Sequence, residues 1–196
     1  MKIGITGGIA SGKTTVTTIL SELGAEILSA DIVAKKVMMR GTDEYDDIVA
    51  HFGEDILDPS KDIDRTKLGE IIFKDENERH LLNNLTHPKV IELIKAEMKE
   101  FEANSMVAVE VPLLVEADMN EMFDQIIVVA TTPETQFNRL LEKGLNEKEA
   151  LGRISSQATN EERYPYADYI VINKSSYENL RRDVEDLYSK LKGLDE

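Results

Sequence analysis

Short apolar runs alternate with helical patterns along most of the chain. The run Ile126–Val129 is apolar at consecutive positions, which is typical of a strand that helices cover on both faces. Strands that alternate with helices favour a parallel sheet, because parallel strands need long crossover connections. The pattern therefore predicts an α/β fold, a parallel five-stranded sheet flanked by helices. Strands are predicted at 2–6, 26–28, 106–111, 125–130 and 169–172, and helices at 12–23, 31–39 and 177–191.

Two stretches interrupt this alternation. Residues 42–105 show helical periodicity without a convincing strand, so we expect a helical insertion there. Residues 133–157 show two helical patterns separated by a break at 143–146, an arrangement that suits a mobile arm. The other segments, which we expect to form one core, are 1–41, 106–132 and 158–196.

Residues Gly7–Thr14 match the phosphate-loop pattern G-x-x-x-x-G-K-[ST]. An apolar strand precedes the motif and a helix-forming run follows it, which is the setting that the motif needs. Glycines let successive N–H groups turn towards phosphate oxygens, and the helix N-terminus adds its dipole. We expect Lys13 to bridge the β- and γ-phosphates of a nucleotide and Thr14 to ligate Mg²⁺. The residues predicted to bind the nucleotide are Gly8, Ala10, Ser11, Gly12, Lys13, Thr14 and Thr15.

A phosphate loop alone does not distinguish a kinase from a GTPase or a motor. Guanine-nucleotide switches read the base with an Asn-Lys-x-Asp tetrad, and the nearest segment here, Asn173–Ser176, ends in Ser. Without that carboxylate, the guanine donors would lack a partner. Motors tend to be larger than this acidic chain of 196 residues. A small phosphotransferase is therefore favoured, and a nucleotide-dependent regulatory switch is the alternative from another class.

Two acidic residues at predicted strand ends are candidates for the chemistry. Asp31 follows the strand at 26–28, at the edge where open α/β sheets bind ligands, and could act on an acceptor hydroxyl. Its alternative role is to cap the next helix. Glu110 ends an apolar strand and resembles the acid that helps to hold Mg²⁺ through water. The alternative is an ordinary polar strand end.

Composition narrows the class of partner. The net charge of −15 opposes binding to nucleic acids and to anionic membranes. No apolar run approaches the roughly 18 residues that a membrane span requires. The chain has no cysteine, which excludes disulfides and favours a reducing, cytoplasmic location. The histidines lack the spacing of a metal site; they are His51, His80 and His87.

With these motifs in place, the chain resembles the dephospho-CoA kinase family nearly from end to end. The resemblance depends on the order of several short motifs, each weak by itself. Beyond Gly7–Thr14, they are Ala30–Lys35, Phe52–Leu57, Asp64-Arg65 with Leu68-Gly69 and Phe73, His87–Val90, Pro112–Glu116, Gln136 with Arg139, Arg153 with Gln157, Ala167-Asp168, and Ile172-Asn173.

The resemblance implies ATP-dependent phosphorylation of the ribose 3′-hydroxyl of dephospho-CoA, with a P-loop core. It implies that 42–105 is the substrate-binding domain and 133–157 a lid that closes over ATP. Asp31 matches the aspartate that acts on the hydroxyl, and Arg139 would contact the transferring phosphate. Further residues implied to bind are Asn173 for the nucleotide and His87, Pro112 and Leu113 for the substrate.

Some expectations keep an alternative. A nucleoside or nucleoside monophosphate kinase is the alternative enzyme, and the chain is expected to be a monomer or a small homo-oligomer. Arg139 could instead pair with Glu142 on a solvated helix, and His87-Pro88 could simply form a turn. The family often carries Gly where Ala10 stands, and the added methyl is expected to be tolerated if the local φ is negative.

Overall fold

A computed structural model of the chain describes residues 1–101, 105–174 and 176–194. Three residues of the predicted insertion, 102–104, lie outside the described part of the chain. Ser175, the third residue of the segment compared with the guanine-binding tetrad, also lies outside it.

Five parallel strands form one sheet in the order β2-β3-β1-β4-β5. Strand β1 is central: Ile5 lies opposite Glu110 of β3 on one side and opposite Ile127 of β4 on the other. The predicted parallel five-stranded sheet is confirmed, and each strand lies within two residues of its predicted bounds. The strands are β1 (Lys2–Thr6), β2 (Glu26–Ser29), β3 (Val107–Glu110), β4 (Gln125–Ala130) and β5 (Tyr169–Ile172).

Nine α-helices connect and follow these strands in the described residues. They are α1 (Lys13–Glu22), α2 (Ala30–Val37), α3 (Asp43–Phe52), α4 (Arg65–Lys74), α5 (Glu76–Lys99), α6 (Pro133–Glu142), α7 (Glu147–Ser155), α8 (Asn160–Arg163) and α9 (Tyr177–Lys192). Short 3₁₀ turns lie at Glu54–Ile56, Asn120–Met122 and Tyr164–Tyr166. No helix of the described residues is long and apolar enough to cross a bilayer.

The chain divides into two compact units, residues 1–29 with 98–196 and residues 30–97. The first unit contains the sheet, and its core forms where one face of the sheet packs against α1 and α9. Apolar residues of both helices are buried there because each presents them at helical spacing. The buried core residues are Ile3, Ile5, Val16, Ile19, Leu20, Ala25, Met106, Ala108, Ile127, Val129, Val171, Leu180, Val184, Leu187, Tyr188 and Leu191.

The second unit is helical, as the periodicity predicts, and has a core of its own. That core consists of Tyr45, Ile48, Ile56, Leu57, Leu68 and Leu82. Pro88 lies inside α5, so the alternative that His87-Pro88 forms a turn is wrong. The helix continues through the proline at the cost of one backbone hydrogen bond, because proline has no N–H to donate.

Helices α6 and α7 form the predicted pair with a break between them. Gly144 has a φ of +89°, a conformation that glycine adopts without strain. Asn146 then caps α7: its side chain accepts from the N–H of Glu149, whose carboxylate accepts from the N–H of Asn146. The break at 143–146 is therefore encoded locally, by a glycine followed by a capping box.

Candidate active site

The loop between β1 and α1 has an unusual backbone. Gly12, the N-cap of α1, has a φ of +101°, and a Cβ atom there would lie 2.0 Å from Nδ2 of Asn173. Glycine is therefore required at this position both for conformation and for space. Ala10 has a φ of +57°, so the negative φ on which the expected tolerance of the added methyl depends is not present. The left-handed conformation costs an L residue roughly 1–2 kcal/mol.

Lys13 is the first residue of α1 and is buried. Its ammonium donates to the carbonyl oxygens of Gly7 at 2.9 Å and Gly8 at 3.0 Å. The charge is therefore held inside the loop, beside the first N–H groups of α1, which have no partners within the helix. A buried cation and a helix N-terminus together favour an anion at this place.

A cavity of about 480 Å³ opens beside this loop. Most of the residues predicted to bind a nucleotide line it: Ala10, Gly12, Lys13, Thr14, Thr15 and Asn173. Gly8 and Ser11 do not, although Ser11 Oγ is buried without a hydrogen-bond partner in the described part of the chain. The lining also includes residues to which the motifs assign no binding role: Glu142, Lys143, Tyr177 and Leu180.

The two predicted metal ligands lie side by side. Thr14 Oγ1 is 3.3 Å from Glu110 Oε1, and both residues line the cavity. The described residues hold no cluster of three or more His, Cys, Asp or Glu side chains that could enclose a metal ion. One carboxylate and one hydroxyl fit Mg²⁺ in a nucleotide site, because Mg²⁺ keeps several waters and takes phosphate oxygens as its other ligands.

The side chains of Arg139 and Asn173 bind carbonyl oxygens at the turn of the phosphate loop. Arg139 Nη1 donates to the carbonyl oxygens of Ala10 at 3.0 Å and Ser11 at 3.3 Å, and Asn173 Nδ2 donates to Ser11 O at 2.8 Å. The alternative of a simple surface pair between Arg139 and Glu142 is therefore wrong. Arg139 still lines the cavity, where its charge adds to that of Lys13.

Two glutamines also bind the loop, and the sequence indicates no function for either. Gln136 Nε2 donates to Ile9 O at 2.7 Å, and Gln157 Oε1 accepts from Ile9 N–H at 2.7 Å. Both belong to motifs of the family resemblance, and that membership is the only signal that could have found them. They lie 127 and 148 residues after Ile9, beyond the reach of any local pattern.

The remaining predicted residues are distributed over both units. Asp31 is exposed in the first turn of α2, inside the helix and not at its cap, which removes N-capping as its alternative role. His87 is partly buried in α5, and this burial lowers the pKa of its imidazole. In the unit of the sheet, Pro112 O accepts from Thr6 Oγ1 at 3.4 Å and Leu113 is 40% exposed.

A phosphate loop at the end of a central parallel strand, with an enclosed lysine and a Thr–Glu pair beside it, defines the chain as a P-loop nucleotide-binding protein. The family model described as dephospho-CoA kinase matches residues 1–179. The chain belongs to this family, and the resemblance found in its sequence is confirmed.

Individual relatives agree with this assignment. The dephospho-CoA kinase of Listeria innocua is 43% identical over 185 residues, covering 93% of this chain and 92% of the relative. The solved structure of the dephospho-CoA kinase from Campylobacter jejuni is 31% identical, covers all of both chains and superposes with a TM-score of 0.75. A crystal structure from Thermus thermophilus is 29% identical, covers 97% of both chains and has a TM-score of 0.82. These likenesses span the whole fold.

Proposed function

We propose that the chain transfers the γ-phosphoryl group of ATP to the ribose 3′-hydroxyl of dephospho-CoA, which produces coenzyme A in the last step of its biosynthesis. The observation that carries the nucleotide half is the loop with Lys13 enclosed by its own carbonyls. The acceptor follows from family membership, which covers residues 1–179. In this function the loop binds the phosphates of ATP, and the rest of the cavity holds the nucleoside.

The loop residues fit a triphosphate. Ser11 Oγ is buried without a partner among the described residues, so it is a polar group that a ligand could satisfy. The Lys13 ammonium donates to two carbonyl oxygens of the loop, and we assign it to bridging the β- and γ-phosphates. Gly8, Gly12 and Thr15 complete the proposed binding surface through their backbone groups.

Thr14 and Glu110 are the residues that would hold Mg²⁺. Their oxygens lie 3.3 Å apart, and a carboxylate beside a phosphate site needs a cation between the two negative groups. When bound, Mg²⁺ neutralises charge on the phosphate oxygens. Glu110 is the last residue of β3 and lies opposite Ile5 of the central strand β1. The sheet therefore positions this ligand.

Asp31 is the proposed base. The oxygen of the 3′-hydroxyl attacks the γ-phosphorus, the bond from that phosphorus to the β,γ-bridging oxygen breaks, and ADP leaves. The hydroxyl proton passes to the Asp31 carboxylate. The carboxylate of Asp31 is exposed in the first turn of α2, so its oxygens are accessible to an acceptor hydroxyl.

Arg139 and the helices α6 and α7 would form the lid over ATP. Arg139 is already on the cavity wall, where its guanidinium could stabilise the charge of the transferring group. Closure of a lid excludes water and so limits wasteful hydrolysis of ATP. On the acceptor side, we assign His87 of the proposed substrate-binding domain 42–105, and Pro112 and Leu113 of the core, to binding of dephospho-CoA.

The test is ADP release from Mg-ATP with one acceptor at a time: dephospho-CoA, nucleosides or nucleoside monophosphates. Selective stimulation by dephospho-CoA is expected, with a product that is heavier by one phosphate. Stimulation by a nucleoside or its monophosphate would keep the nucleotide site and refute the acceptor. Tight nucleotide binding with no acceptor-dependent transfer would indicate a switch instead. The cytoplasmic location and the state of monomer or small homo-oligomer stay predictions.

A further inference from the structure

Side chains bind both backbone polar groups of Ile9, its N–H and its carbonyl oxygen. Gln136 donates to its carbonyl and Gln157 accepts from its N–H, each at 2.7 Å. Both distances are at the short end of the range for N–H···O hydrogen bonds. The two glutamines come from α6 and from the segment after α7, so a single residue of the phosphate loop is bonded to two separate parts of the chain.

Each of these bonds fixes the plane of one peptide group. A trans peptide is planar, and its C=O and N–H point in opposite directions. The bond from Gln136 to Ile9 O therefore sets the direction of the next N–H, which belongs to Ala10 on the cavity wall. The bond from Ile9 N–H to Gln157 sets the direction of Gly8 O, which accepts from the Lys13 ammonium.

We propose that Gln136 and Gln157 are positioning residues of the phosphate loop. By fixing the two peptides around Ile9, they direct the Ala10 N–H towards the phosphates and hold the Lys13 ammonium in place. This inference rests on the nucleotide half of the proposed function and is independent of the acceptor. It also explains why Ala10 keeps a φ of +57°, because the residue before it has no freedom to relax.

The surroundings hold both glutamines in one geometry. Gln136 is 8% exposed, and a Cβ atom on Gly8 would lie 2.2 Å from its Nε2, so the loop approaches this amide as closely as glycine allows. Close approach of backbone to the amide leaves one position for the donor. Gln136 therefore needs no rearrangement to make its bond.

A partly buried ion pair fixes the segment that carries Gln157. Ala158, the next residue, donates its N–H to Glu116 Oε1 at 2.9 Å and accepts at its carbonyl from Arg163. Arg163 is 1% exposed and lies 3.3 Å from the same carboxylate oxygen. The backbone beside Gln157 is thus bonded at both of its polar groups, which restricts where the Gln157 amide can lie.

The two glutamines have opposite roles, donor and acceptor, and this difference provides the test. In Q136E a carboxylate oxygen would face Ile9 O, so the bond is replaced by repulsion. In Q157E a carboxylate oxygen would still accept from Ile9 N–H. Both variants add one negative charge beside Ile9, so they control for each other. S189E adds the same charge at an exposed position of α9 that does not line the cavity, and serves as the outer control.

The measurement is the dissociation constant of a non-hydrolysable Mg-ATP analogue, by calorimetry and without any acceptor. We expect a rise of tenfold or more for Q136E, threefold or less for Q157E, and no change for S189E. Equal losses in Q136E and Q157E would reduce the effect to charge and overturn the proposal. Equal binding by Q136E and S189E would overturn it as well.

The pH dependence separates positioning from a general loss of structure. The buried position and the facing Ile9 carbonyl raise the pKa of the new carboxyl in Q136E, and its protonated form regains a donor, so the binding defect is expected to shrink between pH 7.5 and 5.5. A defect that is constant over this range would contradict the proposal. If Q136E does not fold, Q136M removes the donor without adding a charge. Q136M that is folded by circular dichroism is expected to bind the analogue more weakly than the wild-type chain, and equal binding would overturn the proposal. A wild-type chain that fails to bind the analogue would refute the proposed function itself.

Discussion

Replacing Ala10 by glycine is expected to stabilise the protein. Ala10 has a φ of +57°, where an L residue costs roughly 1–2 kcal/mol. Glycine costs about 0.4–1 kcal/mol through the greater entropy of the unfolded chain. The difference is a net gain of about 0.8 kcal/mol, and it raises the melting temperature of a chain of this size by about 2–3 °C. The Ala10 carbonyl that accepts from Arg139 is retained in the variant.

The matched control is the same substitution at Ala50, which is exposed in the interior of α3. Glycine there costs about 1 kcal/mol, because no positive φ offsets the loss of helix propensity. Thermal melts and urea titrations of both variants are expected to shift in opposite directions. If A10G lowered the melting temperature as A50G does, the argument from backbone strain at Ala10 would be refuted.

Three further predictions address the chemistry, and a fourth addresses the titration of a histidine. K13A is expected to abolish transfer in the coupled ADP assay, because the phosphates lose their buried cation; retained turnover would remove Lys13 from catalysis. D31N is expected to keep the affinity for Mg-ATP and to lower kcat by about 100-fold or more, the range of general-base catalysis. Near-normal turnover in D31N would contradict the assignment of the base. E110Q is expected to raise the Mg²⁺ concentration that gives half-maximal activity, and an unchanged titration would return Glu110 to a structural role. Burial lowers the pKa of His87 below 6.5, so the unfolded state takes up that proton first as the pH falls. The free energy of unfolding from urea titrations is therefore expected to fall below pH 6.5, and less so in H87N; parallel curves for the two proteins between pH 7 and 5 would refute this.

The sequence was sufficient for the sheet and for the centre of the site. Each strand shows itself as a short apolar run, and the register of parallel strands places their carboxyl ends at one edge. The Thr14–Glu110 pair illustrates this, since the motif and the strand end were predicted separately and their oxygens lie 3.3 Å apart. The capping box at Asn146 is equally local and therefore equally predictable.

Features that depend on distant partners could not be predicted. Ala10, with its φ of +57°, lies in a loop whose carbonyls accept hydrogen bonds from Gln136, Arg139 and Asn173, all distant in the sequence. Proline normally breaks a helix, yet Pro88 is accommodated inside the long helix α5. Tyr177 is expected from sequence only as the start of a closing helix, and its place on the cavity wall depends on how α9 packs against α1.

The net charge of −15 and a site for a triphosphate are compatible because the two act over different distances. At physiological salt, exposed charges separated by more than about 8 Å are largely screened. The cavity wall carries Lys13, Arg139 and Lys143, whose charges act at contact distance on a bound anion. Helix α1 adds N–H donors that do not depend on net charge. We therefore expect the net charge to disfavour a long polyanion, which would contact much of the surface, more than a small anion, which would contact only the cavity wall. The carboxylate of Glu110 fits the same argument, since it belongs beside phosphates only when a cation lies between them.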